Sequence, residues 1–253
     1  ISHTKIIMLG GRRTGKSTIL ASVIHALNSK ASHLCTLTDT TPYGASTGMK
    51  VSLIDKRHEI NNYLNEHKRS QNAQFLVDLN RTDSEGTFNI VASVVGAPGI
   101  GLDFVDVPGE WMCQAHTKYE GLRAHIKESD VFIIAIDTPF LMYEENSNVG
   151  EVGNRSKEVR QLMDAMNIGS IHDRKQIIFV PVKCEKWVRE GRIEEVTQKV
   201  LQLYRELINK WVSHKEVEMW VMPISTVGSI ELSRMLHGYR VFMKEGDNAG
   251  SLC

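Results

Sequence analysis

The apolar run Lys5-Ile6-Ile7-Met8-Leu9, followed at once by Gly10-Gly11-Arg12-Arg13-Thr14-Gly15-Lys16-Ser17, restricts this chain more than any other stretch. The eight residues from Gly10 match G-x-x-x-x-G-K-[ST] in full, a pattern that is meaningful only between a strand and a helix. Both flanks are present. Lys5–Leu9 reads as a buried strand, and from Ser17 onward Leu20, Val23, Ile24 and Leu27 recur at helical spacing. Glycines let such a backbone wrap closely, and the N–H groups of the loop and helix start converge on one point, so the stretch is shaped for phosphate oxygens. A glycine-rich turn with an accidental Gly-Lys-Ser is the competing reading, and the paired flanks weigh against it. Lys16 is expected on the outer phosphates and Ser17 on Mg²⁺, with Gly10 to Thr18 as the lining.

Beyond this loop the pattern alternates. Strand candidates are Gln74–Leu79, Phe88–Val95, Leu102–Val107, "DVFIIAIDTP" (130–139), "QIIFVPVKC" (176–184) and "VEMWVMPIST" (217–226). Helical spacing marks about 111–128, the stretch with Val159, Leu162, Met163 and Met166, and one long helix from Ile193 to Trp211. Several strands are apolar on both faces. The expected class is therefore α/β: a mainly parallel, helix-covered sheet of about six strands. The turn signal "RTDSEG" (81–86) predicts a hairpin between the first two candidates, and "GAPGIG" (96–101) a turn before the third. GAPGIG is not G-x-G-x-x-G and precedes a strand, so a dinucleotide fingerprint is rejected. Residues 30–50 read as a long loop, and Leu53, Ile60 and Leu64 predict an extra helix near 53–66. The domain reading is 1–228 for the nucleotide-type domain, with an insertion at about 30–73, and 229–253 for a C-terminal extension. Its strand-like segment, in "YRVFMKEGDNAGSLC", is expected to be a cut-off piece of a following element or an edge addition.

Composition narrows the function classes. The 253 residues carry 30 basic and 30 acidic side chains, so no bulk attraction to nucleic acid or anionic membrane is expected. Cys35, Cys113, Cys184 and Cys253 form no CxxC pair, which argues against a disulfide framework or zinc site and predicts a reducing, cytoplasmic setting. His58-Glu59-Ile60-Asn61-Asn62 begins like HExxH and ends in Asn, so the zinc-protease motif fails. No apolar run reaches the roughly 18 residues of a membrane helix, and no signal peptide is evident. The sequence opens on Ile1, and trimmed ends are expected.

A second motif follows at Asp106-Val107-Pro108-Gly109. An acid at a strand end beside the Gly10–Ser17 loop can hold a magnesium shell. A glycine three residues on can bring its backbone N–H close to a terminal phosphate. Together these motifs resemble the P-loop GTPases of the translation-factor and Ras-like class, and the resemblance spans most of the chain. It implies a Ras-like G domain that binds GTP and GDP with Mg²⁺, the metal held by Ser17 and Asp106. In that class an Asn/Thr-Lys-x-Asp segment reads guanine. The matching place is Val182-Lys183-Cys184-Glu185, where Lys183 fits while Val182 and Glu185 depart. A glutamate still accepts hydrogen bonds from the guanine ring N–H and amino group, which favours guanine over the competing reading of a surface charge cluster. The class's last base-side loop corresponds to Ser225-Thr226-Val227-Gly228. Its first switch threonine would be one of Thr36, Thr38, Thr40, Thr41 and Thr47, with no means of choosing. The helix near 53–66 is either a partner surface or core padding.

Arg12 and Arg13 stand where small residues are usual. Arg13-Thr14-Gly15-Lys16-Ser17 is similar to the loop of guanylate-binding proteins, which implies that Arg13 acts as an internal arginine finger, either in the single chain or only after dimerisation. The alternative is that both arginines are solvated or paired with acidic neighbours. Glu110 follows Gly109 at the place of the class's water-orienting glutamine, which predicts slow hydrolysis with Glu110 near the water. His116 is a lesser candidate. Lys16, Arg13, Glu110 and Gly109 are thus the catalytic expectation. The function expected is Mg²⁺-dependent GTP binding and slow hydrolysis in a nucleotide-controlled switch, with a protein effector or nucleotide-dependent homodimer as partner. A nucleotide-binding scaffold without turnover and a P-loop kinase or ATPase are the alternatives. "RIEEVTQKV" supplies no arginine-rich lid for the last of these.

Overall fold

The run Lys5–Leu9 lies at the middle of a sheet. In the computed structural model, which describes residues 2–12, 14–20, 35–39, 74–76, 86–143, 149–168, 174–224, 230–236 and 239–244, strand β1 (Ser2–Leu9) is flanked by β5 (Ile100–Asp106) and β6 (Val131–Asp137). Both neighbours run parallel to it. Ile7, Met8 and Leu9 are fully buried in succession, as a parallel strand covered on both faces requires. The sheet order is β2-β4-β5-β1-β6-β7-β8, where β2 is Cys35–Asp39, β4 Gly86–Val94, β7 Lys175–Val182 and β8 Val217–Val221. All pairings from β5 to β8 are parallel, and β4 and β2 extend one edge antiparallel.

Helices follow the strands. Residues 16–20 are helical (α1), and α2 (Tyr119–Glu128), α3 (Thr138–Leu141), α4 (Val149–Asn154), α5 (Ser156–Met163), α6 (Glu185–Arg189), α7 (Ile193–Leu203) and α8 (Arg205–Trp211) come after. Alternate strand residues serve opposite faces. Ile7, Leu9, Phe132, Ile134 and Phe179 pack with Leu122, Leu162, Val200 and Leu207 from α2, α5, α7 and α8. Met8, Ala135 and Val180 pack on the other side with Ile19 and Leu20 of α1. No helix among the described residues is long and apolar enough to cross a membrane.

The mainly parallel, helix-covered sheet stands as expected, with seven strands in place of about six. The additional strand is β2, inside the stretch 30–50 read as loop. Five residues, Cys-Thr-Leu-Thr-Asp, carry too little local signal, and only pairing with the distant β4 makes them a strand. Thr36 and Thr38 belong to this ladder. Thr40, Thr41, Thr47 and the helix expected near 53–66 lie outside the described residues.

Four further readings are corrected. Among the described residues, the strands on either side of "RTDSEG" do not pair with each other: β3 (Gln74–Leu76) pairs with β10 (Tyr239–Lys244), and β4 pairs with β2 and β5. A turn signal specifies a reversal, not which strands then meet. The helix expected from 111 begins at Tyr119, behind a 3-10 turn over Gly109–Met112. The helix expected from Ile193 to Trp211 is two, separated at Tyr204, although one apolar face (Val196, Val200, Tyr204, Leu207, Trp211) runs through both. The tail strand is not solitary either: β9 (Ile230–Leu236), β10 and β3 form a separate antiparallel sheet.

Phe132 is fully buried on β6, so Phe132→Ala should lower stability by about 3–5 kcal/mol. Val212→Ala, at a residue 64% exposed, should change it by less than about 0.5 kcal/mol. Urea unfolding followed by circular dichroism measures both.

Candidate functional site

The parallel register brings four strand ends to one edge. Met8 lies beside Asp106, Leu9 beside Ile134 and Asp137 beside Val182, so Gly10, Asp106, Asp137 and Lys183 emerge together. Ligands of open α/β sheets bind at this carboxyl edge, where connections leave in opposite directions.

The Gly10–Ser17 loop begins with a backbone only glycine adopts readily: φ is 145° at Gly10 and 102° at Gly15. Contact adds to conformation, since a Cβ on Gly10 would lie 2.6 Å from the Ala135 carbonyl oxygen. Thr14 Oγ1 donates to the Gly11 carbonyl at 3.0 Å. Lys16 Nζ, on a residue only 7% exposed, donates to the carbonyls of Gly10 and Gly11 at 3.1 and 3.2 Å. Ile19 N–H donates to Gly15 O at 2.9 Å, closing the first turn of α1, whose leading N–H groups face the loop. Thr18 lies partly buried in that turn.

Ser17 Oγ donates to Asp106 Oδ2 at 2.5 Å. Asp106 is buried, and its Oδ1 has no hydrogen-bond partner among the described residues. Just beyond, Gly109 presses against the loop. A Cβ there would lie 2.7 Å from Arg12 N and 2.8 Å from the Gly11 carbonyl carbon. On another side, a Cβ on Gly11 would lie 2.5 Å from the Gly153 carbonyl oxygen. The segment Gly10–Arg12 is therefore gripped between the turn after β5 and the end of α4. Arg12 Nε meets Glu110 Oε1 at 3.0 Å, so for Arg12 the acidic-neighbour alternative is the one realised. Arg13 lies outside the described residues. His116 sits in the turns before α2, where its Nδ1 accepts from Lys118 N–H at 3.1 Å.

The second half of the edge is tied to β6. Lys183 adopts a left-handed backbone (φ 58°), uncommon away from glycine, and its Nζ lies 2.6 Å from Asp137 Oδ2. Burial pushes the Lys183 ammonium down, to about 7, and the nearby Glu185 carboxylate pushes it back up. The Asp137 side chain beside it has no exposure at all. Glu185 opens α6, and Cys184 Sγ approaches the Ile224 carbonyl at 3.7 Å. Ser225 and Thr226 lie outside the described residues.

Lys16, Ser17, Asp106, Gly109, Arg12 and Glu110 thus meet around the loop, and Lys183 and Glu185 stand two strands away. Sequence reasoning gave no role to Asp137 or Asn154. Asp137 anchors Lys183 and also caps α3 by accepting from Phe140 N–H at 3.3 Å. Buried Asn154 accepts from Asp137 N–H at 2.6 Å and donates to the Asp137 carbonyl at 3.3 Å, holding α4 against the tip of β6. The available signal was Asp137-Thr138-Pro139 at the end of an apolar strand, a helix-start signature.

No protein-family model matches the chain, and no curated protein matches it. Solved structures similar to it include the GTPase-like domain of Ski7 from S. cerevisiae bound to GDP and inorganic phosphate: 18% identity, TM-score 0.46, covering 89% of this chain and 43% of that one. The GTP-bound form of that domain gives 19%, 0.47, 89% and 43%. A signal recognition particle receptor SRb-GTP/SRX complex from Chaetomium thermophilum gives 10% identity, a TM-score of 0.48 and coverage of 90% and 93%. The chain therefore spans less than half the length of the two Ski7 chains. At these scores the likeness concerns the general course of the chain and carries no functional argument.

Gly109→Ala tests the grip on the loop. Its Cβ would meet backbone, which yields less than a side-chain tip, so a loss of about 1–3 kcal/mol in stability is expected by thermal unfolding.

Proposed function

We propose that this chain binds a guanine nucleotide with Mg²⁺, hydrolyses GTP slowly to GDP and phosphate, and acts as a nucleotide-controlled switch. The observation that carries the reading is the Ser17–Asp106 contact at 2.5 Å beside the buried Lys16 and the closely packed Gly109. Two oxygen donors, one on a buried carboxylate with an unsatisfied second oxygen, suit a hard cation that takes its remaining ligands from phosphate and water. Such a cation offsets charge on the phosphates when bound. Lys16 and the N–H groups of the loop and α1 supply the rest of the anion-binding surface.

On the base side, Asp137 orients Lys183, and Glu185 offers a carboxylate to the guanine N–H and amino groups, where adenine presents no such pair of donors. Ser225 and Thr226 complete that side. Arg13, in a loop similar to that of guanylate-binding proteins, neutralises charge growing on the transferred phosphoryl group. The segments at about 30–50 and 106–118 change with the terminal phosphate and present the surface read by a protein effector or a second copy of the chain. A nucleotide-binding scaffold without turnover is the second reading. It draws on Glu110, which meets Arg12 and is a carboxylate where water orientation calls for a neutral amide.

Titration of the protein with GTP, GDP and ATP, with and without Mg²⁺, decides the ligand class. GTP and GDP should bind with Mg²⁺ and outcompete ATP, and Lys16→Ala should lose most of that affinity. Full affinity in Lys16→Ala, or no binding by the intact protein, sinks the reading. Arg13→Ala should still bind nucleotide while its phosphate release falls by up to roughly 10³–10⁵. Unchanged release removes the finger, and no release over hours from intact protein favours the scaffold.

A further inference from the structure

We infer that the Arg12–Glu110 ion pair is a charge gate that makes the candidate site accept a triphosphate as well as a diphosphate; this deepens, and rests on, the nucleotide-site reading above. Glu110 places a carboxylate one residue after Gly109, which on that reading lies towards the outer end of the phosphate chain. Alone, it would repel a triphosphate more than a diphosphate, which is shorter and carries less charge. Arg12 offsets that charge from the neighbouring loop, with Nε 3.0 Å from Oε1.

Both backbones are fixed before the side chains meet. The carbonyl of Gly11, which precedes Arg12, accepts from Lys16 Nζ and Thr14 Oγ1. Glu110 rides on a 3-10 turn closed by Trp111 N–H to Pro108 O at 3.1 Å and Cys113 N–H to Glu110 O at 3.2 Å. The backbone at Gly109 touches Arg12 N, so the side chains of Arg12 and Glu110 leave adjoining points. An ion pair assembled from such a frame orders little that was not ordered already. The pair is 42% and 33% exposed, so it contributes little to fold stability, and its effect falls on a charged ligand entering beside it. It also explains how a carboxylate is tolerated where the resemblance leads one to expect a neutral glutamine.

The test is the ratio of GTP to GDP affinity, measured by titration with Mg²⁺ on the full chain and on folded variants checked by circular dichroism. Removing one compensating, partly exposed charge should weaken GTP about three- to tenfold more than GDP in Arg12→Ala, with the difference shrinking as salt rises. Arg12→Lys should keep most of the ratio, and Glu110→Gln in the Arg12→Ala background should restore it. Arg12→Gln, closer in volume, replaces Arg12→Ala should the latter not fold. Equal weakening of GTP and GDP, or a double variant as poor as the single, overturns the gate while leaving the nucleotide site intact. Absence of binding to the unaltered protein overturns the site reading and the gate with it.

Discussion

The arrangement at the carboxyl edge depends on a backbone-to-backbone contact between Gly109 and the segment Gly10–Arg12. Parallel pairing of β1 with β5 places Met8 opposite Asp106, so the loops leaving these strands start as neighbours. Whether they then touch depends on side chains, and glycine at 109 removes the atom that would hold them apart. The contact sets two separations at once. It brings the Ser17 hydroxyl to Asp106, through α1 on one side and the end of β5 on the other. It also lets Arg12 reach Glu110. The inner pair can shape a cation site and the outer pair the charge around it, and neither can be adjusted without moving the other.

The base-side half hangs from β6 in a comparable way. Asp137 ends that strand, caps α3 through its side chain, exchanges hydrogen bonds between its backbone and the Asn154 side chain, and pairs with Lys183. A fully buried carboxylate is costly to desolvate, and its partners have to be held in register to offset that cost. Lys183 meets it from a left-handed backbone. Asn154 belongs to α4, which also supplies the Gly153 carbonyl against Gly11. Through α4, the tip of β6 and the Gly10–Ser17 loop share a support. Arg160 fixes that support from outside by bridging Glu151 of α4 and Glu206 of α8.

What could be read from the chain divides along the range of the interactions involved. The strand–loop–helix at Gly10–Ser17, the presence of a mainly parallel sheet and the place of Asp106 at a strand end follow from local periodicity and a short motif. Strand β2 and the partner of β3 do not, because their pairing is decided by residues far along the chain. Tyr204 interrupts a helix whose apolar face continues unbroken, so periodicity alone cannot mark the break. Asp137 escaped notice for a different reason. Its role arises from Lys183, which approaches only once β6 and β7 lie side by side. Arg12 falls between these cases: an acidic partner was one of two readings, and only the Gly109 contact selects Glu110.

The charges at this edge bear on what it can hold. Among the described residues it gathers four carboxylates (Asp106, Glu110, Asp137 and Glu185) and three cations (Arg12, Lys16 and Lys183), a formal excess of one negative charge. Two of the cations face carboxylates, and Lys16 donates to the Gly10 and Gly11 carbonyls. On the proposed reading, directed N–H groups and Lys16 would supply anion affinity at short range, and a divalent cation at Asp106 would add to it. Metal and nucleotide would then bind interdependently, since the phosphates would complete the shell of the cation and the cation would offset the local carboxylate charge. The Asp106 oxygen without a partner among the described residues is the feature that favours this arrangement.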